Sequence, residues 1–299
     1  MGFLSTLFGG RQLSPEEERQ EQQDRNFDLL KYDGVKAMKT GQADYAMRCF
    51  REALKLKEDL EVRDYLSQVL TNLGDLEGAV AELRLLSDAA PDNVGVVMRQ
   101  AQVAYLMEDY DQMVTACERA TTLATQQSSV NSPLPTVNYF YAQAYIGQHN
   151  MVGAIAMLTK AIAMQPDYAE AYLLRGQTLL QMGDAAGAAQ DVAWLEENVG
   201  AHEDVLMLKA HTEAARGDTE AAIATYGQVI EVNPFAIDAY RERGQLRYDG
   251  GDKAGAEADM QKVLELDPGS MADVNGEYSA EGIEQRVKQA YSAVNPLGL

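Results

Sequence analysis

Residues 169–192 (AEAYLLRGQTLLQMGDAAGAAQDV) and residues 237–260 (IDAYRERGQLRYDGGDKAGAEADM) share one skeleton: A-Y, R-G-Q, G-D, G-A and a late Asp. They lie 68 residues apart, which is twice 34, and the stretch between them, 203–226, keeps the G-D and the following Ala on the same beat. That Ala falls at 154, 188, 222 and 256, and earlier at 79 and 46, with Met113 holding the same slot in a more diverged copy. A fixed period of this length constrains the fold more than any other feature of the chain. It requires one supersecondary unit, repeated and stacked on its neighbours, with contacts that stay local along the sequence.

Each copy is helical by its apolar spacing. Tyr172, Leu173, Leu179 and Leu180 recur at helical intervals, and Gly183-Asp184 then interrupts them. Gly suits the left-handed residue that ends a helix, and Asp suits the N-cap of the next. Asp75, Asp109, Asn150, Asp184, Asp218 and Asp252 occupy that cap slot, and Pro91, Pro166, Pro234 and Pro268 follow the second helix. Each copy therefore reads as helix, tight turn, helix, tight turn, with no strand signal anywhere. Slots are numbered here from the first residue of each copy. Slot eight holds only small residues (Gly34, Ser67, Ala101, Ala142, Gly176, Ala210, Gly244), as close helix crossings demand. Slot twenty-four holds only apolar ones (Phe50, Leu83, Cys117, Leu158, Val192, Tyr226, Met260).

This pattern resembles the tetratricopeptide repeat family, over residues 27–270 in seven copies: 27–59, 60–93, 94–127, 135–168, 169–202, 203–236 and 237–270, with a loop at 128–134. The usual large residue of slot four is Tyr172 and Tyr240 in two copies but Arg63 and Asn138 in others. The resemblance implies an all-α fold, a right-handed α-solenoid of antiparallel helix hairpins. Residues 1–26 read as an apolar stub followed by a charged lead-in helix, opened by the capping-box sequence Ser14-Pro15-Glu16-Glu17. Residues 271–299 read as a loop and a capping helix with Ile283, Val287, Tyr291 and Val294 on one face.

Charge narrows the partners. With 46 acidic against 25 basic residues, the net charge of −21 disfavours nucleic acid and anionic membrane surfaces, and leaves a basic protein or peptide open. Two cysteines, Cys49 and Cys117, supply neither a disulfide framework nor a zinc set. MGFLSTLFGG at the N-terminus lacks the features of a secretory signal, although MGFLST matches an acylation pattern, and no stretch approaches the ~18 apolar residues of a spanning helix. A cytoplasmic setting is expected.

Catalysis finds no footing. Nucleotide-loop, HExxH and GxSxG motifs are missing, and His149, His202 and His211 sit at unrelated slots. MADVNGEYSAEG at 271–282 resembles a calcium loop but has Met271 and Gly282 where carboxylates belong. No enzyme activity, cofactor or metal is expected.

The resemblance does imply a concave surface lined by slots two, five, nine and twelve of the first helices. Slot nine reads Val35, Gln68, Gln102, Gln143, Gln177, His211, Gln245, a row of carboxamides able to donate to and accept from an extended backbone. Gln is also simply a good helix former on a solvated face. The candidate peptide groove is Gln102, Tyr105, Tyr139, Gln143, Gln177, Leu180, Gln245 and Tyr248. A carboxylate clamp of the kind known in this family is matched only by Lys31 and Arg99, with Val35, Tyr65 and Gly95 elsewhere, and is not expected. Glu61, Glu170, Asp204 and Asp238 at slot two are read as favourable charges at helix starts. Arg175 with Asp191, and Arg243 with Asp259, are read as ion pairs within a repeat, each contributing well under ~1 kcal/mol if exposed. Trp194, the only tryptophan, is placed on the outer face, and self-assembly through it or through an array end is the alternative to a groove ligand.

Overall fold

A computed structural model describes residues 14–127 and 132–267. These residues contain fourteen α-helices and no strand. They run α1 (Pro15–Lys39), α2 (Ala43–Leu56), α3 (Leu60–Leu73), α4 (Leu76–Ala89), α5 (Val94–Leu106), α6 (Tyr110–Gln127) and α7 (Leu134–Gly147). After these come α8 (Met151–Met164), α9 (Ala169–Gln181), α10 (Ala185–Asn198), α11 (Glu203–Ala215), α12 (Thr219–Val232), α13 (Ile237–Asp249) and α14 (Lys253–Leu266). The chain forms two compact units, one ending at Gly147 and the next beginning at Gln148. The acylation pattern, Pro268, the calcium-like stretch and the C-terminal capping helix lie outside the described residues.

The turns carry the expected chemistry. Ser14 and Glu17 form the reciprocal capping box at the start of α1. Asp75, Asp109, Asn150, Asp184 and Asp252 each accept a hydrogen bond from the backbone N–H three residues on. Asp218 is the exception: its side chain makes no capping bond and lies 3.8 Å from Arg216 instead. The residue before each cap is left-handed throughout. Gly41, Gly74, Gly183, Gly217 and Gly251 have φ between 74° and 88°, while Glu108 (56°) and His149 (58°) adopt the same conformation without glycine's freedom.

Packing follows the period. The slot-twenty residues Ala46, Ala79, Met113, Ala154, Ala188, Ala222 and Ala256 are all 0% exposed. They sit where helix backbones come closest, and slot eight, buried in every copy, gives the facing surface. Slot twenty-four fills the space between: Phe50, Leu83, Cys117, Leu158, Val192 and Tyr226 are buried, and Met260 in the last hairpin is half-buried. In the first unit, Phe50 packs with Leu66, Leu70 and Leu83, and a second cluster gathers Val97, Met113, Cys117 and Val137. The second unit has one cluster around Leu195 and Leu208 and another around Tyr226 and Val229.

The ion pairs within repeats form, but they are not exposed. Arg175 grips Asp191 through Nε (3.0 Å) and Nη2 (2.6 Å), and the Asp191 side chain is only 2% exposed. Arg243 holds Asp259 in the same bidentate way, and Arg247 Nη1 adds a third bond at 2.8 Å. Each arginine also lies against the slot-four tyrosine, Arg175 5.4 Å from the Tyr172 ring and Arg243 5.7 Å from Tyr240. The slot twenty-three carboxylates point into the hairpin, so their desolvation makes the small surface-pair magnitude inapplicable.

Trp194 is half-buried and lies flat on Tyr172, with ring centroids 3.9 Å apart and planes 6° from parallel. One face of the indole is thus already occupied within its own repeat.

Candidate peptide-binding face

The slot-nine side chains lie about 100° round their first helices from buried slot eight, whereas slot twelve, four residues on, stays close to the slot-eight face. In the first unit, Gln102 and Tyr105 on α5 are exposed, and Tyr139 and Gln143 on α7 are half-buried. Tyr105 is 40% exposed and meets Tyr110 edge-on at 6.5 Å. Gln68 on α3 donates to Asp64 within its own helix at 3.2 Å.

In the second unit, Gln177 on α9 is exposed, and Gln245 and Tyr248 on α13 are half-buried. Gln245 Nε2 donates to Asp249 at 2.8 Å, while its Oε1 is buried without a hydrogen-bond partner in the protein. Leu180, expected in the groove, is instead 8% exposed, in the cluster with Ala188, Val192 and Leu195 of α10 and Val205 and Leu208 of α11. Its slot leans onto two neighbouring helices and is closed to a ligand.

His211 replaces glutamine on α11. It is half-buried and sits edge-on to Tyr226 at 5.9 Å, and burial pulls its pKa below 6.5 against a weaker upward pull from Asp238. The imidazole is therefore neutral near pH 7.

Beside His211 opens a cavity of about 490 Å³, with Gln177 and Met207 on its walls, Glu203, Asp204 and Asp238 at the helix starts, and Phe235 in the turn between α12 and α13. Asn233 builds this turn. Its Nδ2 donates to both carboxylate oxygens of Glu203 at 2.9 Å, and its Oδ1 accepts the Phe235 N–H at 3.0 Å. Phe235 is left 74% exposed, more than any other large apolar side chain described. The helix dipole alone accounts for Asp204 and Asp238 in the sequence, and the repeat pattern does not single out Asn233 or Phe235. The available signal is Phe235 itself, an aromatic directly after the turn proline, where two other copies with that proline place Asp92 and Asp167.

Glu242, on α13, has its pKa raised from 4.5, first by burial and then by Asp238, against Arg241. A raised carboxyl pKa means the folded state holds the proton more tightly. Stability from this group is present at low pH and lost as pH rises from 4.5 through the folded value. Glu242→Gln is therefore expected to raise Tm at pH 7.5, with the gap closing toward pH 4.5. Thermal melts across that range check it, and a pH-independent gap would refute the assignment. His211 acts in the opposite sense, its lowered pKa removing stability as pH falls below 6.5.

Lys31, the one cation that suits a carboxylate clamp in the first copy, is held by Asp59 (3.3 Å) and Glu61 (2.7 Å). Arg99 pairs with Asp64. Among the described residues no group of three His, Cys, Asp or Glu side chains could hold a metal, and no helix is long and apolar enough to cross a membrane.

These helix hairpins, repeated with small residues at the crossings and an open face on the first helices, define a helical-repeat protein. Tetratricopeptide repeat models match residues 145–212 and 207–270. Residues 145–270 are thus tetratricopeptide repeats, and the fourteen helices of the described residues are consistent with about seven such repeats. Tetratricopeptide repeat protein 36 of Bos taurus is 36% identical over 81 residues, which is 27% of this chain and 40% of that protein. The match thus spans about two fifths of that relative's length. Among solved structures, a tetratricopeptide repeat protein from Parabacteroides merdae aligns with a TM-score of 0.66 at 14% identity, covering 89% of this chain and 99% of that one. The pilF protein of Pseudomonas aeruginosa gives 0.57 at 15% identity, covering 71% and 94%. At these identities the two structures report on the fold.

Proposed function

We propose that this chain is a non-enzymatic scaffold that holds a segment of a partner protein against the first-helix faces of its repeats, in the cytoplasm. The observation that carries this reading is the slot-nine row. Gln102 and Gln143 in the first unit, and Gln177 and Gln245 in the second, hold one register position of their hairpins, the first of each pair exposed and the second half-buried. Carboxamides so placed can serve both the N–H and C=O groups of an extended strand, and Tyr105, Tyr139 and Tyr248 supply apolar contact beside them. Membership in a family of protein-interaction scaffolds supports the reading. Cys49 and Cys117 are both buried and unpaired, and burial pushes the Cys117 thiol up to about 12, which fits a structural role in a reducing compartment.

The test compares wild type with a Gln143→Ala, Gln177→Ala, Gln245→Ala variant of equal helicity by circular dichroism. A photo-crosslinking residue at position 177 is expected to trap a partner that wild type captures and the triple variant loses by about tenfold or more. Equal capture by both forms would discard the groove. Self-assembly through Trp194 or an array end is the alternative, and the indole keeps one face on Tyr172. Light scattering that finds a concentration-independent monomer would remove it altogether.

A further inference from the structure

We infer that the cavity on the second unit, beside His211, takes an arginine side chain of the partner segment. This deepens the groove reading and rests on it. The lining residues include three carboxylates, Glu203, Asp204 and Asp238, and neither lysine nor arginine. Burial holds the one basic group in the lining, His211, in its neutral form near pH 7. Arg241, outside the lining, balances Asp238 at 2.6 Å. Asp204 has only His202 nearby, at 3.8 Å, and its side chain is 65% exposed. The site therefore carries uncompensated negative charge facing a cavity whose volume lies in the ordinary range for ligand sites, about 300–1,000 Å³.

Charge alone would admit lysine equally well. The aromatic decides for arginine. Asn233 fixes the backbone N–H of Phe235 and the Glu203 carboxylate with one amide, so an exposed ring and an anchored carboxylate are set beside one cavity. A guanidinium stacks on a ring while its edge donates to carboxylates, and an ammonium has no plane to stack. The chain uses this arrangement internally twice: Arg175 lies over Tyr172 and grips Asp191, and Arg243 lies over Tyr240 and grips Asp259. Met207 and Ile237, both half-buried in the lining, offer apolar wall for the arginine stem.

The probe is a fluorescein-labelled capped peptide, Ala-Arg-Ala-Arg-Ala-Arg-Ala, compared by anisotropy at low ionic strength with its citrulline and lysine counterparts on the full chain. Citrulline keeps the shape and removes the charge. The arginine peptide is expected to bind about tenfold or more tighter than the citrulline peptide, with lysine between them. Asp204→Asn/Asp238→Asn is expected to weaken it about tenfold. Glu220→Gln/Glu257→Gln, which removes the same charge from exposed positions on α12 and α14, should change it less than about twofold. Phe235→Ala should narrow the gap between arginine and lysine.

Equal losses in the two charge variants would reduce the binding to general attraction toward an acidic protein and overturn the inference. So would equal binding of the citrulline peptide, or no binding of any peptide. The groove reading is judged separately: a partner lost from the glutamine triple variant but retained by Asp204→Asn/Asp238→Asn would sink the arginine site and leave the groove standing.

Discussion

Arg175→Met is expected to destabilise the protein by about 3–5 kcal/mol, because it leaves Asp191 buried and charged with no cation. The Asp191 side chain is 2% exposed, and both of its oxygens are bonded to this one guanidinium. No second arginine stands by. The last hairpin provides the internal comparison. There Arg247 Nη1 also reaches Asp259, at 2.8 Å, so Arg243→Met should cost only about 1–2 kcal/mol, the scale of losing hydrogen bonds while the charge stays paired. Urea titrations followed by circular dichroism measure both. Removing the charge together with its partner, in Arg175→Met/Asp191→Leu, should recover most of the loss, since a well-packed apolar pair can replace a buried ion pair. Equal losses in the two single variants, or no recovery in the double, would show that stacking of Arg175 on Tyr172 matters more than the paired charge.

Phe50→Ala should cost about 3–5 kcal/mol, the range for emptying a fully buried aromatic site. Phe50 is 0% exposed, stacks on Tyr65 at 5.6 Å and sits against Gly34, where an added Cβ would lie 2.5 Å from Phe50 Cε1. Glycine and phenylalanine here are two halves of one fit. Gly34→Ala alone is expected to cost about 1–3 kcal/mol by overpacking. The same change made with Phe50→Leu should cost less, because the branched chain vacates the space the new methyl needs. A double-mutant cycle from chemical denaturation gives the coupling, expected at about 0.5–3 kcal/mol. Strictly additive losses would mean that the ring does not fix the α1–α2 crossing. In a repeat array such losses are felt by the hairpin and its neighbours, so hydrogen exchange in α1 to α3 should rise before that of distant helices.

Much of the fold was legible because a repeat writes its contacts at fixed offsets. Ala46, Ala79, Ala154, Ala188, Ala222 and Ala256 share a slot and share complete burial, so a single well-read copy places the others. The cap residues were legible for a similar reason, since Asp and Asn before a helix act on a backbone N–H three residues away. Features depending on the direction of long side chains were less so. Leu180 was assigned to the groove from its slot, yet it leans onto α10 and α11. The slot of Trp194 gives no sign that Tyr172 covers one face of its indole. The division between Gly147 and Gln148 leaves no mark on the period, which runs through it unchanged. The cavity beside His211 depends on Asn233 bending one turn, and a turn's sequence lists donors and acceptors without saying which will meet.

The left-handed residue at the hairpin turn also governs how the chain can change length. Gly41, Gly74, Glu108, His149, Gly183, Gly217 and Gly251 stand one residue before the cap of the following helix. One residue added between that turn and the second helix would rotate everything after it by about 100° about the helix axis. The slot-twenty alanine would swing away from the crossing, and a polar neighbour would take its place. Substitution at the open face leaves this phase untouched, whereas a single-codon insertion at the turn resets it. Drift in what the surface recognises is thus compatible with the architecture, and drift in spacing within a hairpin is not.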